Sequence, residues 1–356
     1  MQKLKILFVG ESWNGSSARS LRDSLAEFKN VDFDDIGEDL YKPKGRSKLI
    51  RGTNRLLNYW YQRELASEIK IRLIANKPDV LIVYKGNLIT DATVKEVKKL
   101  GILTVNIFPD YSPHSYGLQL KRAIGEYNLV ISTKPYHPKN WLVTYGYKNE
   151  CVFVPHGYDT KVHLWADPPK IQSIEIIMAA SWRRQYEKFL MELVNNLGNL
   201  NFSVSIAGSG WSKVSSKFPK HWKFPGPLYG RAYGEFIRSG KIVIAPVHSE
   251  VRIEGQIQPG DEDTTRTYEL ASAGCFFLHQ RTAYVSTVYD EQNEVPMWTD
   301  GNELGRLIKH YLPLETRRRE MALAAHLRAV PSYSVEARSL EVLEYIQEHL
   351  IRLQKQ

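Results

Sequence analysis

Short apolar runs alternate with stretches of helical periodicity through the first half of this chain. Residues 4–9 form a continuous apolar run that ends at Gly10, and the apolar positions of residues 18–28 recur at the spacing of one helix face. Apolar strands separated by helices indicate a parallel sheet that is buried on both faces. Further strand–helix pairs are predicted at residues 79–84 and 91–100, 102–107 and 115–126, and 129–132 and 135–145, followed by a strand at 151–154.

A second series of the same kind follows residues 158–173, a segment that contains Pro168 and Pro169. The series begins with a strand at residues 174–180 and a helix at 184–197. From residue 302 onward the chain is predicted to be helical, and residues 334–353 form a long amphipathic stretch. The remaining predicted elements are strands at 202–207, 241–247 and 275–279 and a helix at 264–273.

The predicted fold class is α/β, with two doubly wound, Rossmann-like domains. A chain of 356 residues is longer than one hydrophobic core normally serves. The first domain is expected at residues 1–157, a linker at 158–173 and the second domain at 174–333. The helix at 334–356 is expected to pack back toward the first domain. Because ligands of open α/β sheets bind beyond the carboxyl ends of the strands, the two sets of loops are expected to face each other across a cleft.

Composition is that of an ordinary globular protein, with 43% hydrophobic and 24% charged residues. No apolar run approaches the roughly 20 residues that a membrane-spanning helix needs. The opening MQKLKILFVG lacks the features of a signal peptide, so we expect a cytosolic protein. Cys151 and Cys275 lie in apolar, strand-like runs and are expected to be buried free thiols.

The formal net charge of +9 indicates an anionic partner. Charge alone does not choose between a nucleoside diphosphate, an acidic glycan, a phospholipid surface and nucleic acid. The basic clusters at residues 42–51, 217–223 and 317–319 are short, so each is expected to be a solvated face. No nucleic-acid-binding motif is present, and we expect no nucleic acid partner. Peripheral contact with the inner face of a membrane would fit the charge.

The loop after the first strand, residues 10–17, is a candidate substrate contact because it brings backbone N–H groups to the start of a helix. Its spacing does not match the dinucleotide fingerprint G-x-G-x-x-G. The alternative is a tight turn in which Ser16 or Ser17 caps the helix. The candidate loop contacts are Gly10, Ser12, Gly15 and Ser16.

Three side chains are candidates for acid–base catalysis. Asp110 and His114 follow the strand at residues 102–107, where a carboxylate or an imidazole could act on a sugar hydroxyl. His156 lies in VPHGYD, where the first domain meets the linker. The alternatives are a turn capped by Asp110, a His114 that satisfies a backbone group, and a purely structural turn at His156.

Basic residues follow the first strand of the second domain. Arginine binds phosphate oxygens in a fork and stays charged, so Arg184 at the start of a helix is a candidate diphosphate contact. Lys188 lies one helical turn further on. Solvated surface charge is the alternative for each of them.

The most informative stretch is DEDTTRTYELASAGC, residues 261–275. The start of the predicted helix offers free N–H groups and a positive dipole end to a diphosphate. Glu269 lies one turn deeper, where a carboxylate can accept hydrogen bonds from the vicinal hydroxyls of a ribose. Its alternative is an ordinary exposed glutamate. The candidate nucleotide contacts here are Asp263, Thr264, Thr265, Arg266 and Glu269.

These residues carry a family resemblance that extends over nearly the whole chain. The chain resembles glycosyltransferases of GT-B fold in the group-1 (GT4-like) superfamily and, within it, the spore-maturation CgeB-like branch. The segments that carry the likeness are KILFVGESWNGSSARSLRDSL, KPDVLIVYKGNLIT, VNIFPDY, YNLVISTKPYHPKNWLVTYG, VPHGYD and TRTYELASAGCFFL.

The resemblance implies that Glu269 holds the donor ribose, that residues 264–266 lie near the diphosphate and that Arg184 contacts phosphate. It also implies no metal and no further cofactor, since protein groups and a helix dipole would neutralise the leaving diphosphate. One position departs from the family. Where the retaining branch carries two glutamates separated by seven residues, this chain has Asp261 at the first position, so retention or inversion is not assigned.

The function expected from residues and resemblance is transfer of a sugar from a UDP-, GDP- or TDP-linked donor to a hydroxyl of a glycan, glycolipid or protein, in glycan or polysaccharide biosynthesis. A nucleotide-sugar epimerase would share the fold and the donor site but would need no acceptor. A non-enzymatic protein that binds polyanions or glycans is a further alternative, which predicts strongly salt-dependent binding.

Overall fold

A computed structural model describes residues 3–42, 48–164, 172–198, 200–253 and 255–355, without the side chains of Lys48 and Arg51. The chain divides into two compact units. Unit 1 comprises Met1–Pro155, Arg252–Pro259 and Val335–Gln356. Unit 2 comprises His156–Val251 and Gly260–Ser334. Much of the predicted linker, residues 165–171, lies outside the described residues, as do residues 43–47 of the first basic cluster.

Unit 1 contains a parallel sheet of six strands in the described residues, in the order β2-β1-β3-β4-β5-β6. Its strands are β1 Leu4–Gly10, β2 Val31–Gly37, β3 Val80–Tyr84, β4 Leu103–Phe108, β5 Leu129–Ser132 and β6 Glu150–Phe153. Its helices are α1 Ser17–Ala26, α2 Lys48–Leu56, α3 Asn58–Asn76, α4 Asp91–Lys99, α5 Leu118–Ala123, α6 His137–Tyr145 and, from the end of the chain, α14 Val335–Gln354.

Both faces of the unit 1 sheet are buried. Leu7 and Leu81 belong to a core cluster that includes Leu65 of α3. Phe8, whose side chain points to the opposite face, belongs to a second cluster that includes Ile346 of α14. The continuous apolar strands of the sequence are therefore the strands of a parallel sheet covered by helices on both sides.

Unit 2 contains a second six-stranded parallel sheet in the described residues, ordered β14-β13-β10-β7-β8-β9. Its strands are β7 Ile174–Ala179, β8 Val204–Ala207, β9 Lys223–Gly226, β10 Gly240–Ala245, β13 Phe277–Gln280 and β14 Met297–Trp298, and a separate hairpin pairs β11 Glu250–Ile253 with β12 Gln256–Pro259. Its helices are α7 Thr160–His163, α8 Arg184–Leu197, α9 Gly230–Arg238, α10 Thr265–Ser272, α11 Val285–Val288, α12 Gly301–Tyr311 and α13 Glu315–Ala329.

The unit 2 sheet also has two buried faces. Ile176 and Leu190 of α8 share one core cluster. Ile177, the next residue along β7, belongs to another cluster with Leu270 of α10. Helices therefore cover both sides of this sheet as well, and the predicted α/β class with two Rossmann-like sheets is confirmed.

The prediction of one continuous helix at residues 115–126 is wrong. The chain forms a 3₁₀ turn at Pro113–Tyr116, then α5, then another 3₁₀ turn at Ile124–Glu126. Gly117 separates the first two with a φ of 85°, which a continuous right-handed helix excludes.

The third basic cluster is also not a uniformly solvated face. Arg318 is 5% exposed, and its guanidinium donates to the carbonyl oxygens of Tyr311 and Leu312 at the end of α12. Burial lowers the pKa of Arg318. This arginine therefore satisfies carbonyl groups that the helix end leaves open.

Both cysteines are free thiols, as predicted. Cys275 is buried, and Cys151 is half-buried. Among the described helices, none has the length and apolar character that crossing a membrane requires.

Candidate functional site

In unit 2, the loops that follow β7, β8 and β10 approach one another so closely that two positions admit only glycine. A Cβ atom on Gly208 would lie 2.1 Å from the carbonyl oxygen of Ala180, and one on Gly260 would lie 1.9 Å from that of His248. The Asp261 N–H donates to the His248 carbonyl at 2.8 Å. These contacts place the segment that precedes α10 against the carboxyl end of β10, the edge where open α/β sheets bind ligands.

The first turn of α10 is built by threonines. Thr264 is the N-cap, and its backbone N–H donates to Thr267 Oγ1 at 3.1 Å in a capping-box arrangement. Thr267 is buried, and its hydroxyl also lies 2.9 Å from His279 Nε2. Thr264 and Thr265 remain half-buried at the helix start, beside the N–H groups that the first turn of a helix leaves without internal partners.

Arg266 connects α10 to the loop after β10. Its Nη2 donates to the Pro246 carbonyl at 3.0 Å. Its Nε is buried and has no hydrogen-bond acceptor among the described residues. Burial raises the pKa of Tyr186, and the positive charge of Arg266 opposes that rise. The arginine therefore keeps donor capacity next to the helix N-terminus.

Glu269 is not the exposed glutamate of the alternative interpretation, because only 13% of its side chain is exposed. The hydroxyl of Tyr233, on α9, donates to Glu269 Oε2 at 2.6 Å. His163, on α7, places Nε2 3.8 Å from Glu269 Oε1. The Asp159 N–H donates to His163 Nδ1 at 3.1 Å, so the neutral imidazole carries its proton on Nε2, toward the carboxylate.

Asp263, a predicted donor contact, is completely buried and accepts a hydrogen bond of 2.7 Å from the Tyr268 hydroxyl. A side chain without exposed surface is unavailable to a ligand in this structure. Asp263 therefore supports the loop before α10 from inside unit 2.

The basic residues at the start of α8 differ in their surroundings. Arg184 is the first residue of α8 and is exposed. Lys188 is 80% exposed, and its Nζ lies 4.0 Å from Glu192 Oε1. The two side chains therefore form an ordinary surface ion pair. Arg183 is the N-cap residue. Burial and, after it, the charge of Arg183 lower the pKa of His248 to about 4, so Arg183 is close enough to act electrostatically on the loop after β10.

Gln185 holds α8 to the same loop. Its Nε2 donates to the Val247 carbonyl at 3.3 Å and to Ser249 Oγ at 3.2 Å. The start of α8, the loop after β10 and the start of α10 thus form one continuous surface of unit 2. We call this surface the α8–α10 site, comprising Arg183, Arg184, residues 246–249, residues 264–266 and Glu269.

In unit 1, the loop after β1 is held by its own contacts. The Ser12 N–H and hydroxyl both donate to Asp39 Oδ1, at 2.7 and 2.9 Å. Gly15 has a φ of 96°. Ser16 is at the N-cap position of α1 but its side chain makes no capping hydrogen bond. Gly10 is buried, and a Cβ atom there would lie 2.7 Å from Phe8 Cε1.

Asp110 and His114 have different partners. Lys85 Nζ lies 2.7 Å from Asp110 Oδ2 and 3.8 Å from the centroid of the Tyr116 ring. Lys85 has a φ of 64°, which is uncommon outside glycine and often marks functional or strained positions. His114 lies edge-on to Tyr145, with ring centroids 5.3 Å apart. His156, the third candidate, is the first residue of unit 2 and is half-buried.

Sequence reasoning missed Tyr233, His163 and Lys85. Tyr233 lies on α9, a helix that the apolar pattern did not predict, and no spacing in the sequence connects it to Glu269. Lys85 was detectable as the residue directly after the strand that ends at Tyr84. The described residues contain no group of three or more His, Cys, Asp or Glu side chains arranged to hold a metal ion.

Residues 183–344 match a protein-family model described as "Glycosyl transferase-like". No curated protein matches the chain in sequence. A solved structure of sucrose-phosphate synthase from Thermosynechococcus elongatus is similar with a TM-score of 0.69 and 11% identity, over 98% of this chain and 100% of that one. The HepE protein of Anabaena, solved with UDP and glucose, is similar with a TM-score of 0.65 and 12% identity, over 97% and 99%.

A protein of Listeria monocytogenes assigned as a UDP-N-acetylglucosamine 2-epimerase is also similar, with a TM-score of 0.60 and 12% identity, over 98% of this chain and 97% of that one. At such identities the likeness establishes the fold, while the family model covers the sequence from the start of α8 into α14. The chain therefore has the GT-B fold, and its residues 183–344 match the model of the glycosyl transferase-like family.

Proposed function

We propose that this protein transfers a sugar from a nucleoside-diphosphate sugar to a hydroxyl acceptor, and that the α8–α10 site binds the donor. The carrying observation is Glu269, a nearly buried carboxylate one turn inside α10, held by the Tyr233 hydroxyl at 2.6 Å. The HepE complex with UDP and glucose, a protein of the same fold, supports a nucleotide-sugar donor.

Glu269 is suited to the two hydroxyls of a ribose. A carboxylate has about four lone-pair positions on its two oxygens. Tyr233 occupies one of those on Oε2, and His163 Nε2 lies 3.8 Å from Oε1, which leaves acceptor positions on both oxygens. A vicinal diol can therefore donate one hydrogen bond to each oxygen, and charged acceptors make the stronger hydrogen bonds.

The diphosphate is proposed to lie at the start of α10. The N–H groups and the positive dipole end of the helix attract anions, and Thr264 and Thr265 add hydroxyls. The buried Nε of Arg266, without an acceptor among the described residues, adds a charged donor. Arg184 and Lys188 on α8 are proposed as further phosphate contacts.

These donors act on the reaction itself. When the bond from the anomeric carbon to the diphosphate breaks, negative charge grows on the leaving diphosphate. Fixed donors aimed at that charge stabilise the transition state more than the ground state. Because arginine and the helix end supply the positive charge, the proposal includes no metal and no further cofactor.

We propose that unit 1 binds the acceptor, a hydroxyl of a glycan, glycolipid or protein, with Asp110, His114 and His156 as candidate acid–base groups. Asp110 already forms an ion pair with Lys85 through its Oδ2 atom. The loop with Gly10, Ser12, Gly15 and Ser16 is proposed to contact the same substrate. Membership of the CgeB-like branch and a role in polysaccharide biosynthesis both stay predictions.

The donor test is thermal unfolding of the purified protein with UDP, GDP and TDP and with their sugar conjugates. A ligand that binds only the folded state raises Tm. At a concentration a hundred times its Kd, it adds about 2.7 kcal/mol to the free energy of unfolding. One nucleotide family should stabilise the protein. Absence of stabilisation by every nucleotide and conjugate would overturn the proposal.

An epimerase is the second candidate, favoured by the similarity to the Listeria protein. Product analysis with the donor alone separates the two activities. A transferase leaves the configuration of the unreacted donor sugar unchanged, whereas an epimerase converts it without any acceptor.

A further inference from the structure

Helix α3 of unit 1 has apolar side chains on both of its sides. The side toward the sheet is buried and carries Tyr61, Leu65, Ile69 and Leu73. The opposite side carries Trp60, Ile71 and Ile74, which are 61%, 59% and 67% exposed. Trp60 lies near the start of this side, and Ile71 and Ile74 lie about three turns further on. A surface helix normally presents polar residues to water there, and grouped exposed apolar residues are a feature of interaction sites.

Exposed apolar side chains also lie where α2 meets α3. Leu56, the last residue of α2, is 82% exposed, and Tyr59, in the first turn of α3, is 63% exposed. We call Leu56, Tyr59, Trp60, Ile71 and Ile74 the α2–α3 patch.

Positive charge accompanies this patch. The Arg63 guanidinium lies 5.7 Å from the centroid of the Tyr59 ring and 5.8 Å from that of Trp60. Lys70 is exposed on the same side of α3, at helical spacing from Arg63 and Ile74. Glu64, the residue after Arg63, is also exposed and supplies the acidic side chain of this side.

A cavity of about 400 Å³ opens where α2 meets α3, lined by Lys42, Asn54, Arg55 and Asn58. Among the described residues, its lining combines two cations with two amide side chains, a set of donors that suits phosphate oxygens. Arg55 directly precedes Leu56 and Asn58 directly precedes Tyr59, so this lining adjoins exposed apolar residues of the patch.

We propose that the α2–α3 patch docks unit 1 on an anionic lipid surface, with a headgroup phosphate in the adjoining cavity. Tryptophan and tyrosine prefer the boundary between water and hydrocarbon, where one end of the ring system is wet and the other is apolar. Cations beside such residues are attracted to acidic lipids. Aliphatic side chains at Leu56, Ile71 and Ile74 supply the apolar contact.

The same charges disfavour a second copy of the chain as the occupant. A two-fold interface places the same patch on both sides. It would bring Arg55, Arg63 and Lys70 of the two copies together, and like charges repel across an interface. An acidic membrane has the complementary charge.

The test is co-sedimentation of the full chain with phosphatidylcholine vesicles and with mixed phosphatidylcholine–phosphatidylglycerol vesicles. We expect binding to the mixed vesicles that weakens as salt is added. Trp60→Ser/Ile71→Ser/Ile74→Ser should abolish it. Arg63→Gln/Lys70→Gln should weaken it by about fivefold for each charge removed.

The matched control is Leu323→Ser/Leu327→Ser on α13, where the two leucines are 46% and 67% exposed. This variant should bind mixed vesicles as the parent does. The inference is overturned if the parent ignores mixed vesicles, if the control loses binding as fully as the patch variant, or if the patch variant instead abolishes a concentration-dependent dimer.

The inference does not rest on the proposed sugar transfer. Nucleotide stabilisation, measured on the same variants, should be unchanged in each, since the patch lies in unit 1 and the α8–α10 site in unit 2. Loss of vesicle binding and loss of nucleotide binding are thus separate results.

Discussion

Tyr233 donates its hydroxyl proton to Oε2 of Glu269 at 2.6 Å, a contact between α9 and α10 that spans 36 residues of sequence. It restrains the carboxylate that is proposed to hold the donor ribose. Removal of the hydroxyl in Tyr233→Phe keeps the ring but frees Oε2. We expect nucleotide affinity to fall by about tenfold, within the range of hydrogen bonds to charged groups.

The matched control for this variant is Tyr229→Phe, at a 52% exposed tyrosine just before α9. It should bind nucleotide as the parent does, measured by calorimetric titration. A positioning role predicts that Tyr233→Phe raises KM more than it lowers kcat. Equal affinity in Tyr233→Phe and the parent would contradict it.

Glu269→Gln tests the ribose role directly. The amide keeps the shape of the side chain but loses the charge and one acceptor oxygen. The parent should prefer a nucleoside diphosphate to its 2′-deoxy form by about tenfold, as expected when a charged acceptor loses its donor. The variant should lose most of that preference, measured as the ratio of the two Kd values. Should the ratio stay the same in both proteins, Glu269 contacts another part of the ligand.

Arg266 is expected to bind phosphate through its fork of N–H groups. Arg266→Lys keeps the positive charge but removes Nε and the bidentate geometry. We expect nucleoside diphosphate affinity to fall by about tenfold, with a smaller loss for the nucleoside alone. Arg231→Lys is the control, since Arg231 has a 92% exposed side chain and pairs with Glu235 on α9. A loss that is equal for nucleoside and diphosphate would place Arg266 away from the phosphates.

Arg184→Ala should lower turnover strongly and leave the fold intact, because the residue is exposed at the first position of α8. Arg183→Ala is the paired comparison, since the charge of Arg183 acts on His248. Steady-state kinetics and thermal unfolding of both variants assign the phosphate contact to one of the two. An unchanged rate in Arg184→Ala would remove that residue from the mechanism.

Glu38 makes stability depend on pH. It is 4% exposed, and burial raises its pKa from 4.5 to about 7 even though the Leu88 N–H donates to it. The folded state therefore binds a proton more tightly than the unfolded state. This contribution to stability is complete below pH 4.5, declines as pH rises to about 7 and is absent above it.

Glu38→Gln stays neutral and keeps an acceptor for Leu88. The variant should be more stable than the parent above pH 7, by about 3 kcal/mol as an order of magnitude, and similar to it below pH 4.5. Urea unfolding on both sides of this window measures the difference. A constant difference between parent and variant at all pH values would show that Glu38 does not titrate there.

The elements that the sequence predicted well are those whose environment is uniform along their length. Central strands such as β3, with every residue buried, must be apolar throughout, so the pattern identifies them. Two edge strands escape this rule. β2 carries Asp32, Asp34 and Asp35 because one edge of it is open, and β9 contains Pro225, so neither shows an apolar run.

The candidate site divides in the same way. The start of α10 and the candidate carboxylate Glu269 follow from local sequence, because a capping residue, a helix and the small residues before a strand are neighbours in the chain. The environment of each side chain does not follow from local sequence. Asp263 and Thr264 are adjacent, yet one is completely buried and the other half-buried.

Local sequence determined where most buried strands and several helices of this protein begin, since backbone preferences and apolar periodicity act over a few residues. The tertiary structure alone decided which side chains meet. Tyr233 and His163 reach Glu269 because α9 and α7 pack beside α10, and Lys85 reaches Asp110 because β3 and β4 are paired. Such contacts depend on the packing of whole elements, and no short stretch of the chain encodes them.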